Sequence, residues 1–213
     1  MTWPGGRPSR RVIQSSILLL LAGCAGGLGG SPPAHLYRVS PTRIFPPNLP
    51  RRRQQLLVDA PVAPAGLDTE RIALSRSAVS IDYFADSEWT DRAPLLVQTA
   101  LLQSFENSNA INAIDRQSTG LRADLILKLE LRHFEAVYES PGGPPEVWVA
   151  TNLRLVDPSS GEIVARTSFE GRQRASANNV PSIVAAFDEA LGGVLKSIVV
   201  WAVTNPAWSR KRR

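Results

Sequence analysis

The sequence predicts an α+β domain: an antiparallel β-sheet meander with two helices packed on one face, preceded by a signal peptide and a flexible tether. Three observations carry this reading. Leu125, Leu127, Leu129 and Leu131 alternate with Ile126, Lys128, Glu130 and Arg132, the period of two that sends alternate side chains to opposite faces of a strand. Two short connections follow, Pro141-Gly142-Gly143-Pro144 and Asp157-Pro158-Ser159-Ser160-Gly161. Both are turn sequences, and both are short enough to join antiparallel neighbours. Near the end, Ile183, Val184, Phe187, Leu191, Val194, Leu195 and Ile198 recur at helical spacing, which makes one apolar stripe.

The chain begins with Arg7, Arg10 and Arg11, then an apolar stretch from about Val12 to Ala22, then Leu21-Ala22-Gly23-Cys24. Basic region, short apolar region and small-residue cut site form a secretory signal. The stretch is too short to cross a bilayer core of about 30 Å, which needs roughly 20 residues. It is therefore a targeting segment, residues 1–23, with cleavage expected between Gly23 and Cys24. Leu21 to Cys24 resemble the lipobox of bacterial lipoproteins, in which the cysteine thiolate takes a diacylglycerol through a thioether. Cys24 is the only cysteine in the chain, and an odd thiol in an exported protein needs an explanation that lipid attachment supplies. More than one acyl chain makes such an anchor stable. A chance cysteine behind an ordinary signal peptide is the competing reading. Ser9-Arg10-Arg11-Val12-Ile13 matches a twin-arginine signal loosely, and Sec export is favoured. Ala25, in place of an aspartate, favours the periplasmic face of the outer membrane over retention at the inner membrane.

After the cut about 190 residues remain, enough for one domain with a real core. The removed peptide holds three arginines and no acids, so the formal charge falls from +5 to +2. That balance implies no nucleic-acid partner. Residues 24–53 read as the lipidated tether: Ala25-Gly26-Gly27-Leu28-Gly29-Gly30, then Pro32, Pro33, Pro41, Pro46, Pro47 and Pro50. Glycine gives flexibility and proline extension. A short strand is expected inside it, at Leu36 to Val39.

The domain is expected over 54–204. Gln54 to Val58 reads as a strand, as do Glu70 to Leu74 and Val79 to Phe84, with a turn near Ser75 to Ser77. Thr90-Asp91 would cap a helix running to about Asn107, with Pro94 in its first turn. The leucine strand changes phase before Phe134, which predicts a bulge near His133. Strands over Val147–Val156 and Ile163–Arg172 complete the meander. The last helix runs from about Val180 to Val203, capped by Asn179, with Pro181 in its first turn. Asp188, Glu189 and Lys196 interrupt its other face, so it docks on the sheet and does not span a membrane. Asn205-Pro206 ends it, and residues 205–213 form a basic tail.

The same segments resemble a known family. Leu67 to Ala73 (LDTERIA), Ile81 to Trp89 (IDYFADSEW), Ala123-Asp124, Glu130-Leu131-Arg132, Phe134-Glu135-Ala136, Ala186 to Leu191 and Trp201 occur in the order of the auxiliary lipoprotein component of ABC-type transport systems. These lipoproteins work with mammalian-cell-entry (MCE) substrate-binding proteins, as in the paraquat-inducible system. The resemblance covers about residues 36 to 203; Arg51 to Arg53 and the tail after Asn205 lie outside its pattern. It implies a non-enzymatic subunit that docks the hollow MCE assembly at the outer membrane, alongside the ABC permease and ATPase, while lipids or other hydrophobic compounds move between membranes. A homo-oligomeric ring would suit such docking. The alternative is a stand-alone periplasmic lipoprotein that encloses a lipid, which a large apolar cavity would support.

The residue inventory gives no catalytic set. The two histidines are His35, in the tether, and His133, at the expected bulge; neither can complete a Cys-His pair or the usual metal cluster. No catalytic or metal residues are therefore expected, and no cofactor beyond the covalent lipid on Cys24. Asp82, Asp86, Glu88 and Asp91 lack the glycine and closing glutamate of an EF-hand loop, so a solvated strand end is preferred over a calcium site or an acid pair. Trp89 is either a partner anchor or a seal between helix and sheet, with the seal preferred; Trp201 has the same ambiguity. The runs Arg51-Arg52-Arg53 and Arg210-Lys211-Arg212-Arg213 can contact an anionic bilayer or simply be solvated, and Trp208 beside the second favours contact.

Overall fold

The computed structural model describes Met1, Thr2, residues 33–140 and residues 142–209. The signal peptide from residue 3 to Gly23, Cys24, the glycine cluster and the run Arg210–Arg213 lie outside the described residues. The compact unit described here begins at Ala34. Its strands are β1 (His35–Tyr37), β2 (Leu56–Val58), β3 (Arg71–Ser75), β4 (Asp82–Trp89), β5 (Ile114–Arg116), β6 (Leu125–Val137), β7 (Glu146–Val156) and β8 (Ile163–Arg174); its α-helices are α1 (Ala93–Ser108) and α2 (Val180–Thr204).

The α+β class holds, with a single sheet and two helices. The meander is β6-β7-β8, antiparallel throughout. The N-terminal strands join differently: β2 and β3 both run parallel to β6, β5 runs parallel to β2, and β1 runs parallel to β4. Only the β3–β4 hairpin is antiparallel there. The physical reason lies in the length of β6. Its 13 residues offer one edge to β7 along its whole length, and the other edge to β2 at Leu125–Leu127 and to β3 at Glu135–Val137. The chain must cross over between these docking points, and such connections deliver parallel strands.

The expected bulge is present. The register of β6 against β7 slips between Leu131 and His133, leaving Arg132 as the extra residue. The slip returns Phe134 and Ala136 to the core face, with Val147, Val149, Leu153 and Leu155 of β7. In the turn before β8, Gly161 has φ +72° and its N–H donates to the Asp157 carbonyl at 2.8 Å.

Both helices cover this face. At the centre, Trp89 packs edge-on against Phe187 of α2 at 5.2 Å between ring centroids. It lies 5.4 Å from Phe134, and the Phe134 and Phe187 rings are 4.8 Å apart. Asn179 caps α2 as expected, its Oδ1 accepting from Ser182 N at 2.9 Å. The α1 cap differs from expectation: the N-cap position is Arg92, with no side-chain cap bond, and Asp91 Oδ1 accepts the Arg92 N–H.

The larger departure concerns the tether. Residues 34–53 belong to the compact unit. β1 pairs with β4; Ser40 N donates to Asp188 Oδ1 of α2; Thr42 N donates to Ser104 Oγ at 3.0 Å, and its carbonyl accepts from Asn107 Nδ2 at 3.1 Å. Val39 is buried. The reason is α1. Its buried residues, from Ala93 to Phe105, cover roughly two-thirds of its circumference at about 100° per residue. A sheet and one neighbouring helix cannot shield so wide an arc, so residues 38–45 lie along the outer side as a strap.

Two expectations follow. Deleting residues 25–33 should leave the thermal midpoint unchanged, whereas deleting residues 34–53 should abolish cooperative unfolding, both followed by circular dichroism. A Cβ added at Gly171 would meet the Ala190 carbonyl of α2 at 2.6 Å, so Gly171→Ala should destabilise by about 1–3 kcal/mol in urea titration.

Candidate functional site

The surface away from the helices is the outer face of β6-β7-β8, and several of its charged side chains form ion pairs. Lys128 binds Asp59 at 2.6 Å, Arg154 approaches Glu130 at 3.7 Å, Arg172 reaches Glu146 at 3.2 Å and Arg174 reaches Glu139 at 2.9 Å. These pairs are solvent-exposed, so each contributes about 0–1 kcal/mol. Among them stands Trp148. The His133 ring stacks on it at 3.4 Å and 11°, and the Arg172 guanidinium lies 4.1 Å from its ring centre. His133 Nδ1 is 2.7 Å from Glu135 Oε1. His133 is thus held between a carboxylate and an indole, as a structural histidine. The sequence signal for Trp148 is the alternation Val147-Trp148-Val149, which sets it on the opposite face from its neighbours.

Tyr138 closes the Val137 end of the sheet. Burial pushes its hydroxyl pKa up, and the nearby Arg76 guanidinium opposes that shift. The Tyr138 hydroxyl donates to Asn178 Oδ1 at 2.7 Å.

The acidic run does not converge. Asp82 pairs with Arg76 at 3.4 Å, Asp86 takes φ +51° where β4 bulges away from β3, and Asp91 receives the Arg92 N–H. Among the described residues no three His, Cys, Asp or Glu side chains are grouped to hold a metal ion. His35 opens β1, opposite Ser87, on a strand far in sequence from His133. Trp89 is 1% exposed and acts as the seal, not as a partner anchor. Trp201 is half-buried against the core.

Trp208 corrects an expectation. It is 6% exposed and its Nε1 donates to the Ala202 carbonyl at 2.7 Å, so it is not available to a membrane. It sits in a 3-10 turn, Pro206–Ser209, that folds the end of α2 back on the domain. Arg52 completes this closure. Its Nε donates to the Val203 carbonyl at 2.7 Å, and its guanidinium lies 5.9 Å from the Trp208 ring centre. A cation at a helix C-terminus satisfies an orphan carbonyl and the negative end of the dipole.

Two surface grooves are prominent among the described residues. One, of about 740 Å³, runs between the strap and α1, lined by Arg38, Pro41, Arg43, Ile44, Leu96 and Gln103 among others. Another, of about 410 Å³, lies over Leu57 and Ile126. Both are open to solvent with mixed polar and apolar linings, unlike the apolar chamber that enclosing a lipid requires.

This architecture has known counterparts. The family model of the ABC-type transport auxiliary lipoprotein component matches residues 39–199. The chain belongs to this family. A protein of Bradyrhizobium diazoefficiens is 30% identical over 186 residues, covering 86% of this chain and 49% of that protein, so the chain spans about half the length of this curated relative. The crystal structure of a Xanthomonas campestris protein superimposes with a TM-score of 0.75 at 26% identity, over 80% of this chain and 95% of that one. A second crystal structure matches with a TM-score of 0.59 at 13% identity, over 79% of this chain and 97% of the other, a likeness of fold alone. The family is described as an auxiliary component of transport and not as a catalytic one. The family match begins at Val39, inside the segment whose proline content suggested a tether.

Trp208→Ala should cost about 3–5 kcal/mol. Arg52→Gln should cost less, since it removes one hydrogen bond and one ring contact. Urea titration of both variants checks the order.

Proposed function

We propose that the chain is a lipid-anchored, non-enzymatic subunit on the periplasmic face of the outer membrane. It docks the MCE-type substrate-binding protein of an ABC permease and ATPase system that moves lipids or other hydrophobic compounds between membranes. The observation that carries this reading is the family match over residues 39–199 on a domain whose interior is filled by its own side chains. Trp89, Phe134 and Phe187 occupy the space between helices and sheet where a lipid-binding protein would keep a chamber.

In this reading the mechanism is positional. Diacylglycerol on Cys24 holds the chain to the bilayer, since several buried acyl carbons at about 0.8 kcal/mol each make anchoring stable. The residues between Cys24 and Ala34 give reach, at most about 3.3–3.6 Å per residue when extended. The domain presents a fixed surface to the partner, and no cofactor beyond the lipid takes part.

Affinity purification of the mature protein from native membranes, with mass spectrometry, tests the partner, and Cys24→Ala in parallel tests the anchor. The expected result is co-purification of an MCE protein with the wild type and release of Cys24→Ala to the soluble periplasmic fraction. Absence of every transporter subunit after cross-linking would remove the docking role. Membrane fractionation of Cys24→Ala identical to wild type would remove the lipid anchor.

A further inference from the structure

β8 closes the sheet with one side unpaired. Among the described residues it pairs with β7 alone, and it is 12 residues long. An exposed edge of that length is a row of main-chain donors and acceptors ready for another strand. The Ala175 N–H donates to the Pro145 carbonyl at 2.9 Å, and the register from there to the Leu155–Ala165 pair runs without a slip. In an antiparallel pair the main-chain groups alternate sides along the strand. Ala165, Thr167, Phe169, Gly171 and Gln173 therefore bond to β7, while Arg166, Ser168, Glu170, Arg172 and Arg174 turn theirs to the open side.

These outward-bonding residues also carry their side chains on the outer face, beside Trp148. Arg172 reaches Glu146 and Arg174 reaches Glu139, but among the described residues Arg166 and Glu170 make no ion pair or side-chain hydrogen bond. Both are exposed. Arg166 also stands directly opposite Arg154 across the β7–β8 pair, a like-charge arrangement that is unfavourable. A second copy of the same strand supplies what each lacks. Laid antiparallel about a two-fold axis at Ser168, β8 sets Arg166 opposite Glu170 of the second copy, and Glu170 opposite its Arg166. About six main-chain hydrogen bonds then join the outward-facing groups. On the helix side the half-buried Phe169 meets Thr167, an aromatic and β-branched pair of the favourable kind. The register is selective. Moving the copy by two residues one way sets Arg166 against Arg172; moving it the other way sets Arg166 against Ser168 and Glu170 against Val164. Charges on an edge usually oppose pairing, but these admit one register and reject its neighbours. A foreign strand would have to bring a matching acid and base, whereas the copy carries both at the right separation.

We propose that the open edge of β8 is a dimerisation surface, pairing antiparallel with β8 of a second copy of this chain through Arg166 and Glu170. The interface uses the same residues on both copies, so by itself it closes at two chains. It joins the two sheets into one. It acts independently of the lipid on Cys24 and of any transport partner.

The test uses residues 24–213 carrying Cys24→Ser. Sedimentation equilibrium should show a dimer. Arg166→Glu and Glu170→Arg should each weaken it at least about tenfold, and the double reversal should restore it, with circular dichroism unchanged in all three. Ser168→Cys, placed at the two-fold axis, should form an intermolecular disulfide on mild oxidation, since residues directly opposite in such a pair have Cα atoms about 5.5 Å apart. Arg172→Cys, which the register sets far from its own copy, should not. A monomer at every concentration reached overturns the proposal. So does an oligomer indifferent to both single reversals, which would assign self-association to another face, or equal oxidation of the two cysteine variants. Photo-crosslinking from position 168 in native membranes that captures a different protein and no second copy would also overturn it, and would give the edge to a foreign strand.

Discussion

A helix buried over most of its circumference must be covered from every side, and α1 imposes that constraint on the rest of the chain. Its inner arc meets the sheet and α2. There Gln98, 4% exposed, donates to the carbonyls of Val58 and Asp59, pinning the helix to β2 just where that strand ends. Its outer arc meets residues 38–45, held by Thr42 to Ser104 and Asn107. Without the strap, Leu96, Ala100 and their neighbours would lose part of their cover, at roughly 25 cal/mol for each Å² of apolar surface returned to water. The same strap carries the chain from β1 down to Arg52, so the helix, the edge of the sheet and the C-terminal closure form one connected arrangement.

The elements whose burial is one-sided were legible from the sequence. β6, β7, β8 and α2 each show one face or stripe, and their residues appear where period two and period 3.6 place them; even the slip beside His133 follows from the phase of the leucines. Two parts were not legible. The direction of β2 and β3 depends on which edge of β6 they reach, a long-range matter that three to five residues of local pattern do not encode. The strap is the second, because proline content by itself suggests a free linker. Pro41, Pro46, Pro47 and Pro50 keep that segment extended and limit its hydrogen-bonding, which suits a strand-like cover over a helix as well as it suits a tether. The signal that could have found it is α1 itself: Leu95, Leu96, Val97, Ala100, Leu101, Leu102 and Phe105 are too widely spread around a helix for a single sheet to cover.

The aromatic residues divide by environment and not by type. Trp89 and Trp208 look alike in sequence, each next to a polar segment at the end of a secondary-structure element, yet both are internal. Trp89 completes a cluster of three rings, where each tilted or edge-on contact adds about 0.5–1.5 kcal/mol beyond area burial, and Trp208 closes α2 through its indole N–H. Trp148, by contrast, lies on the outer face, flanked by His133 and Arg172. Burial decides these roles, and it is settled by what lies across the sheet or helix, not by the neighbours in sequence.

The domain has two unlike ends. β1 is joined through β4 and β3 to the Val137 end of β6, so the chain enters the compact unit from that half of the sheet. Arg51 to Arg53 lie at the other end, where β6 begins at Leu125 and α2 finishes. Between them β6 spans on the order of 40 Å, at about 3.3 Å per residue, paired along one whole edge with β7. The docking role proposed above would call for such a strut, stiff along its length. The ring cluster beneath β6 and the strap outside α1 supply the stiffness, because neither helix can shift without opening a packed interface. Among the described residues these rings fill the space beneath β6, and opening room for a ligand there would remove the packing that keeps the two ends in register.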